Sequence, residues 1–389
     1  MNMSLIAEPH FLLTQSNSEL SLDETIDRRT DILAKQARVA MLLREVECEG
    51  LILLEPENLA WLTSGATIRG VLDPDQMPAL FLTQEQRWMM CSNADTQRLF
   101  DEELDEFGFQ LKEWPWHWGR EQLLLDLMHG RRMACDRPVG DCLFVGERLR
   151  QLRRLLTQYE QACLRALGQV VSHAVEATCR TMNVHETERE IAGQLGHRLL
   201  HRGVFPVTLG VAADGRSAVY RQFGFTPTPV NQYAAVVAVG RKYGLCAMAS
   251  RMASFGEPDA ALRGAHVAAN KVSATYVAST WPDAVPREIL SAGRRVYQVM
   301  GYEHDWTLCP QGHVSGRIPV ELELNPKTEE LLQPGWAVTW RASTGPALSC
   351  DTYLVGDTGP QSVTPTEAWP VMLIRVQGAE IFRPDILIR

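Results

Sequence analysis

The chain changes character near residue 155, and that break constrains the fold more than any other feature of its 389 residues. Before it, short apolar or alternating runs at 51–54, 79–83, 87–92 and 132–135 predict strands. Helical patterns lie between them: 31–49, where Gly50 is placed to stop the helix, then segments near 95–107, 120–129 and 144–154. Strands interleaved with helices predict a small α/β domain. After the break, a long helical pattern runs from Thr157 through Leu164, Leu167, Val171 and Val175 to Met182. Thr187 precedes Glu190 by three residues, the spacing of a capping box that opens a second helix. Strands are expected at 207–213 and 233–240, with a turn at 241–244 into a third at 245–255. Helices near 257–279 and 285–300 then lead into strands at 335–342, 350–355 and 370–376. The expected organisation is a loosely ordered tail over 1–28, one domain over 29–154 and a second over 155–389.

Charge and composition exclude several functions. With 38 Lys and Arg against 47 Asp and Glu, the net charge of −9 argues against a nucleic-acid partner held on a broad basic face. No apolar run approaches the ~18–20 residues of a membrane span, and no secretory leader is visible. Nine cysteines without a C-x-x-C pair suit reduced core thiols, so a cytoplasmic location is expected. The aromatic run Trp114–Trp118 fits either a ligand cage or packing at a domain or subunit interface. The acidic stretch 101–106 reads as a solvated helix face.

Standard catalytic motifs are missing: the chain has no G-x-S-x-G, P-loop, G-x-G-x-x-G or H-E-x-x-H. His197 and His201 lie four apart on a predicted helix, but no carboxylate sits between them and Arg198 and Arg202 surround them with positive charge. A surface helix explains that pair, and His185 belongs to a helix start.

Six stretches taken together resemble another group of proteins. ENLAWLTSGA (57–66), LTQYEQACLRALG (156–168), VAVGRKYGLCAMASR (237–251), QGHVSG (311–316), LLQPGWAVTW (331–340) and SCDTYLVGDTG (349–359) are similar, in order and spacing, to segments of the creatinase/Xaa-Pro peptidase family. The resemblance implies a small creatinase-like α/β domain followed by the pita-bread fold shared with methionine aminopeptidases. It also implies a homodimer, with the Trp114–Trp118 cluster a candidate contact.

Dimetal peptidases of this family use two Asp, one His and two Glu, because hard divalent ions need an anionic oxygen cage. Aligned on Gly244 and Arg251, those five positions fall on Val237, Met248, His313, Arg341 and Cys350. Four of the five lack the family's residue, so no metal or other cofactor is expected and peptidase chemistry is expected to be lost. Creatinase-type hydrolysis needs a histidine that would fall on Gln222, which exchanges no proton usefully. The resemblance places Tyr220, Arg221, Gln222, Arg251, Gln311 and Arg341 toward the cleft as ligand-binding residues, together with His313 and Asp351. Two readings follow. One is a degenerate protein that binds a small amino-acid-like, anionic or peptide ligand. The other is a metal-independent hydrolase of an amide, amidine or peptide C–N bond, with His313 oriented by Asp351 or Cys350 as nucleophile.

Overall fold

The computed structural model describes residues 27–66, 77–376 and 378–389. The expected tail lies, up to residue 26, outside the described residues. Helix α1 (Arg28–Glu45) is capped by Asp27, whose carboxylate accepts the Arg29 N–H. Gly50 does not stop this helix. The chain leaves it at Val46, turns through Glu47 at φ 54°, and uses Gly50 as the first residue of β1 (Gly50–Leu53). A Cβ on Gly50 would lie 2.7 Å from the Met133 methyl, so the close approach of the next strand explains the residue.

Around β1 are built β2 (Ala79–Leu82), β3 (Arg87–Ser92), β4 (Gln110–Trp114), β5 (Met133–Cys135) and β6 (Leu143–Phe144), in the spatial order β4-β3-β2-β1-β5-β6. The connecting helices are α2 (Pro56–Leu62), α3 (Thr96–Leu99) with a π turn over Phe100–Leu104, α4 (Glu121–Met128) and α5 (Gly146–Arg154). Alternate residues of a strand face opposite sides. Leu51 and Leu53 therefore join one core with Ile32, Leu43 and Trp61, while Ile52 packs in a second with Phe81, Trp114 and Leu127. Strand β4 has no sequence signature because it is an edge strand whose first four residues are exposed or half-buried.

The second sheet belongs to the rest of the chain. Helices α6 (Gln158–Thr181) and α7 (Glu188–His201) precede β7 (Phe205–Ala213), and the short α8 (Arg216–Val219) precedes β8 (Tyr233–Lys242) and β9 (Leu245–Ser254). Next come α9 (Ala260–Ala278), α10 (Pro286–Val299), α11 (Glu303–Trp306), β10 (Gly312–Ser315), β11 (Leu322–Glu323), β12 (Ala337–Thr344), β13 (Ala347–Gly356) and β14 (Gly359–Ser362). The ribbon β15 (Val371–Val376) with β16 (Ala379–Pro384), then β17 (Leu387–Ile388), closes the chain. The large sheet runs β11-β10-β12-β13-β9-β8-β7, with β14 on β13 and β17 on β9.

Both α6 and α7 open on full capping boxes, Thr157 with Glu160 and Thr187 with Glu190. The β8–β9 hairpin turns on Tyr243 and Gly244, both at positive φ, as a two-residue loop requires. The result is the mixed α/β architecture expected from the element pattern, with helices against the large sheet.

A buried ion cluster ties the two sheets together. The Lys35 ammonium on α1 reaches Asp31 at 2.6 Å and Glu160 of α6 at 2.8 Å, and it donates to Ser64 at 3.0 Å. Arg317 also pairs with Glu160. Beside this cluster, Arg153 of α5 binds Glu321 through Nη2 at 2.7 Å and donates to Asn58 at 2.6 Å. No net charge is stranded, because each buried ion meets an opposite one.

Candidate functional site

Strand alternation builds the cleft. Register pairs Glu323 with His313, His313 with Thr339 and Thr339 with Thr352, so these four side chains share one face of the sheet. Arg341 and Ser315 follow two residues along their strands on that face, and Val237, Val239 and Met248 extend it across β8 and β9. The cavity over this surface has a volume of about 490 Å³ and is bounded on the far side by Gln222 and Phe223. From Ser315, which lines the cavity, a buried hydroxyl ladder runs along this face of the sheet: Ser315 Oγ and Thr339 Oγ1 are 2.9 Å apart, as are Thr339 and Thr352 Oγ1. The Thr352 hydroxyl also donates to the Met248 carbonyl at 3.0 Å. These hydroxyls satisfy one another, so the ladder is neutral and complete.

Two side chains in the cleft are unusual. The Arg341 guanidinium donates to the Arg221 carbonyl, but it has no carboxylate within salt-bridge distance among the described residues and its Nε has no partner. His313 has no hydrogen-bond partner among the described residues. Burial, and then the adjacent Arg341 cation, push His313 well below the ordinary imidazole range, to about 4. It is neutral at pH 7. Glu323 lines the rim of the same cavity.

Of the residues the sequence pointed to, the structure brings Val237, Met248, His313, Arg341 and Gln222 together around this cavity. Others are turned away. Asp351 and Arg251 lie one residue out of phase with the cleft face, on the side covered by α6. There Arg251 binds Asp351 at 2.9 Å and Glu176 at 3.0 Å, while Arg383 binds the other Asp351 oxygen at 2.6 Å. Asp351 is thus held between two guanidinium groups and does not orient His313. Gln311 is buried among Tyr276, Tyr297 and the Cys309 carbonyl, to which it bonds at 3.2, 2.9 and 2.9 Å. Arg221 is engaged with Ser343, the Gly345 carbonyl and Asp305, and Tyr220 is exposed under Arg216.

Cys350 is fully buried opposite Arg341, and burial pushes its thiol up to about 12 although Arg341 acts against that rise. A thiol in that state is protonated at neutral pH and is a poor nucleophile. Cys309 is also buried and its thiol is likewise raised by desolvation.

Outside the cleft, the His197 and His201 rings stack with centroids 6.1 Å apart on the surface of α7. Among the described residues no three His, Cys, Asp or Glu side chains are grouped to hold a metal ion. In the aromatic run Trp114 is buried at the end of β4, whereas Trp116 and Trp118 are exposed. Sequence reading missed Thr208, Ser315, Glu323, Thr339 and Thr352. For Ser315, Thr339 and Thr352 the signal was available, because each lies two residues from an aligned position and alternation places it on the same face.

With this geometry in place, comparison gives the class. Residues 162–351 match the model of metallopeptidase family M24. No curated protein matches the sequence. The fold is shared with the prolidase from Pyrococcus horikoshii OT3, at TM-score 0.74 and 15% identity over 86% of this chain and 99% of that one. It is shared with dipeptidase PepE from Mycobacterium ulcerans, at TM-score 0.74 and 16% identity over 93% and 99%. It is shared also with the amino-terminal domain of FACT complex subunit SPT16 from chickpea, at TM-score 0.63 and 11% identity over 87% and 95%. No helix among the described residues is long and apolar enough to cross a membrane.

Proposed function

We propose that this chain is a degenerate Xaa-Pro peptidase-like protein whose cleft binds a small anionic, amino-acid-like or peptide ligand without metal-dependent hydrolysis. The division into 1–28, 29–154 and 155–389 and a homodimeric state are part of this reading. The donor set does not fit a pair of divalent ions: the cleft offers one imidazole, a rim carboxylate and neutral hydroxyls, with a guanidinium among them. A cation amid would-be ligands repels a metal and attracts a carboxylate. The observation that carries the proposal is Arg341, which faces the cavity without a carboxylate partner among the described residues. Apolar walls from Val237, Val239, Met248 and Phe223 suit an uncharged body behind the anionic group.

The metal-independent hydrolase reading has less support. His313 is neutral, as a general base must be, but Asp351 is bound elsewhere and the Cys350 thiol is raised. Calorimetry with amino acids, dipeptides and short carboxylates tests the proposal. We expect saturable binding that weakens at least about tenfold in Arg341→Gln, the scale of one lost charge-assisted bond. Binding indifferent to that substitution removes the proposed role of Arg341, and product formation by the metal-free protein favours the hydrolase.

A further inference from the structure

A second cavity, of about 640 Å³, lies between α9, α10 and the β15 strand. Helix α10 carries two apolar faces. Ile289, Leu290, Gly293 and Tyr297 are buried in the core. Ala292, Val296 and Val299, at helical spacing, form a second stripe that lines the cavity, with Val296 also packed against the core. Val299 is 85% exposed, and Leu373 across the cavity is 42% exposed, which is costly surface to leave in water without a use. The polar groups at this apolar trough are mainly cationic. Lys271, Arg295 and Arg375 all line it, and no Asp or Glu does. Arg375 pairs with Glu380 at 3.0 Å, but Lys271 meets only the Met300 sulfur at 3.7 Å and Arg295 has no partner among the described residues. Two uncommitted cations on one trough stand out in a chain of net charge −9.

We propose that this trough is a binding site for a single-chain amphipathic anion, an acyl chain ending in a carboxylate. The hydrocarbon would lie on the Val296–Val299 stripe and Leu373, and the carboxylate would meet Lys271 and Arg295. Charge complementarity and size both point to this occupant, because the volume falls in the range of about 300–1,000 Å³ typical of small-molecule pockets. The site is separate from the cleft and shares no lining residue with it.

The test is calorimetry on the full chain with sodium dodecanoate below its micellar concentration. We expect saturable one-to-one binding, weakened at least about tenfold in a Lys271→Glu/Arg295→Glu variant and unchanged in Arg341→Gln. Both charge substitutions lie at exposed positions, and circular dichroism and Tm of the variant confirm that it folds. A Val299→Asp variant, at an equally exposed position, should weaken binding independently of the cations. Equal affinity for dodecyltrimethylammonium overturns the proposal, as does loss of binding in Arg341→Gln alone. Capture of anionic phospholipid vesicles or of an acidic amphipathic helical peptide in place of monomeric dodecanoate overturns it too.

Discussion

Arg341 and Cys350 are Cα partners across the β12–β13 ladder, so a guanidinium and a thiol face each other on the cleft side of the sheet. Proximity to a cation normally favours a thiolate, yet complete burial outweighs it and the Cys350 thiol rises to about 12. Cys350 is therefore expected to resist iodoacetamide in the native protein and to react on unfolding. Mass spectrometry of labelled peptides checks this, and rapid native labelling of Cys350 would sink it.

The same pair governs metal binding. After loading with excess manganese, cobalt or zinc and exhaustive dialysis, less than one equivalent should remain by elemental analysis. The reason is that the cleft carries a fixed cation, neutral side chains and one rim carboxylate, Glu323, where a pair of hard ions needs several anionic oxygens. Two tightly held equivalents would contradict the proposed loss of peptidase chemistry.

His313 makes stability depend on acid. Its folded value of about 4 lies below the usual ~6.5 of an imidazole, so the unfolded chain binds more protons between those values. This contribution is complete above about pH 6.5 and is lost as pH falls through 6.5 toward 4. His266 of α9, buried beside the Pro384 carbonyl and lowered to about 4 chiefly by desolvation, acts in the same direction. Urea unfolding from pH 7 to pH 4 should show the decline, and His313→Gln should flatten part of it. In Arg341→Gln the His313 resonance should titrate at higher pH by NMR, since one of its two depressing causes is gone. An unchanged titration would refute that assignment.

Between the sheets, Lys35→Met should lower stability by about 3–5 kcal/mol, because Asp31 and Glu160 lose their shared buried cation. Burial alone would raise the Glu160 carboxyl, but Lys35 and Arg317 outweigh it and hold it at about 2. Adding Glu160→Gln should recover part of the loss by removing one uncompensated charge. Denaturant midpoints of the single and double variants measure both effects. A single-variant cost below about 1 kcal/mol would show that the cluster is not coupled to folding.

Much of the fold was legible in advance, with physical reasons. The α7 start followed from Thr187 and Glu190 because a capping box is a local exchange of hydrogen bonds. The strand pairs Tyr233–Lys242 and Leu245–Ser254 followed from apolar runs around a tight turn. Gly50 was misread because a glycine after a helical pattern has two explanations, and only the neighbouring Met133 distinguishes them. Strand β4 was missed because an exposed edge strand carries no apolar alternation. In the cleft, Val237, Met248, His313 and Arg341 were pointed to by the family resemblance, aligned on Gly244 and Arg251, and they line the cavity. Asp351, Arg251 and Gln311 were placed there too, and they are not there.

The sequence by itself determined the order of elements, the register signals at their ends, and the residue types that stand at the aligned cleft positions. Those features are local, arising from backbone sterics, capping and side-chain periodicity. Only the tertiary structure decided which polar groups face the cavity. Arg251 finds Glu176 across 75 residues and Arg153 finds Glu321 across 168, and no local pattern encodes such partners. A buried charge is tolerated only where the fold brings it an opposite one, so packing assigned Asp351 to the arginines behind the sheet and left Arg341 facing the cleft.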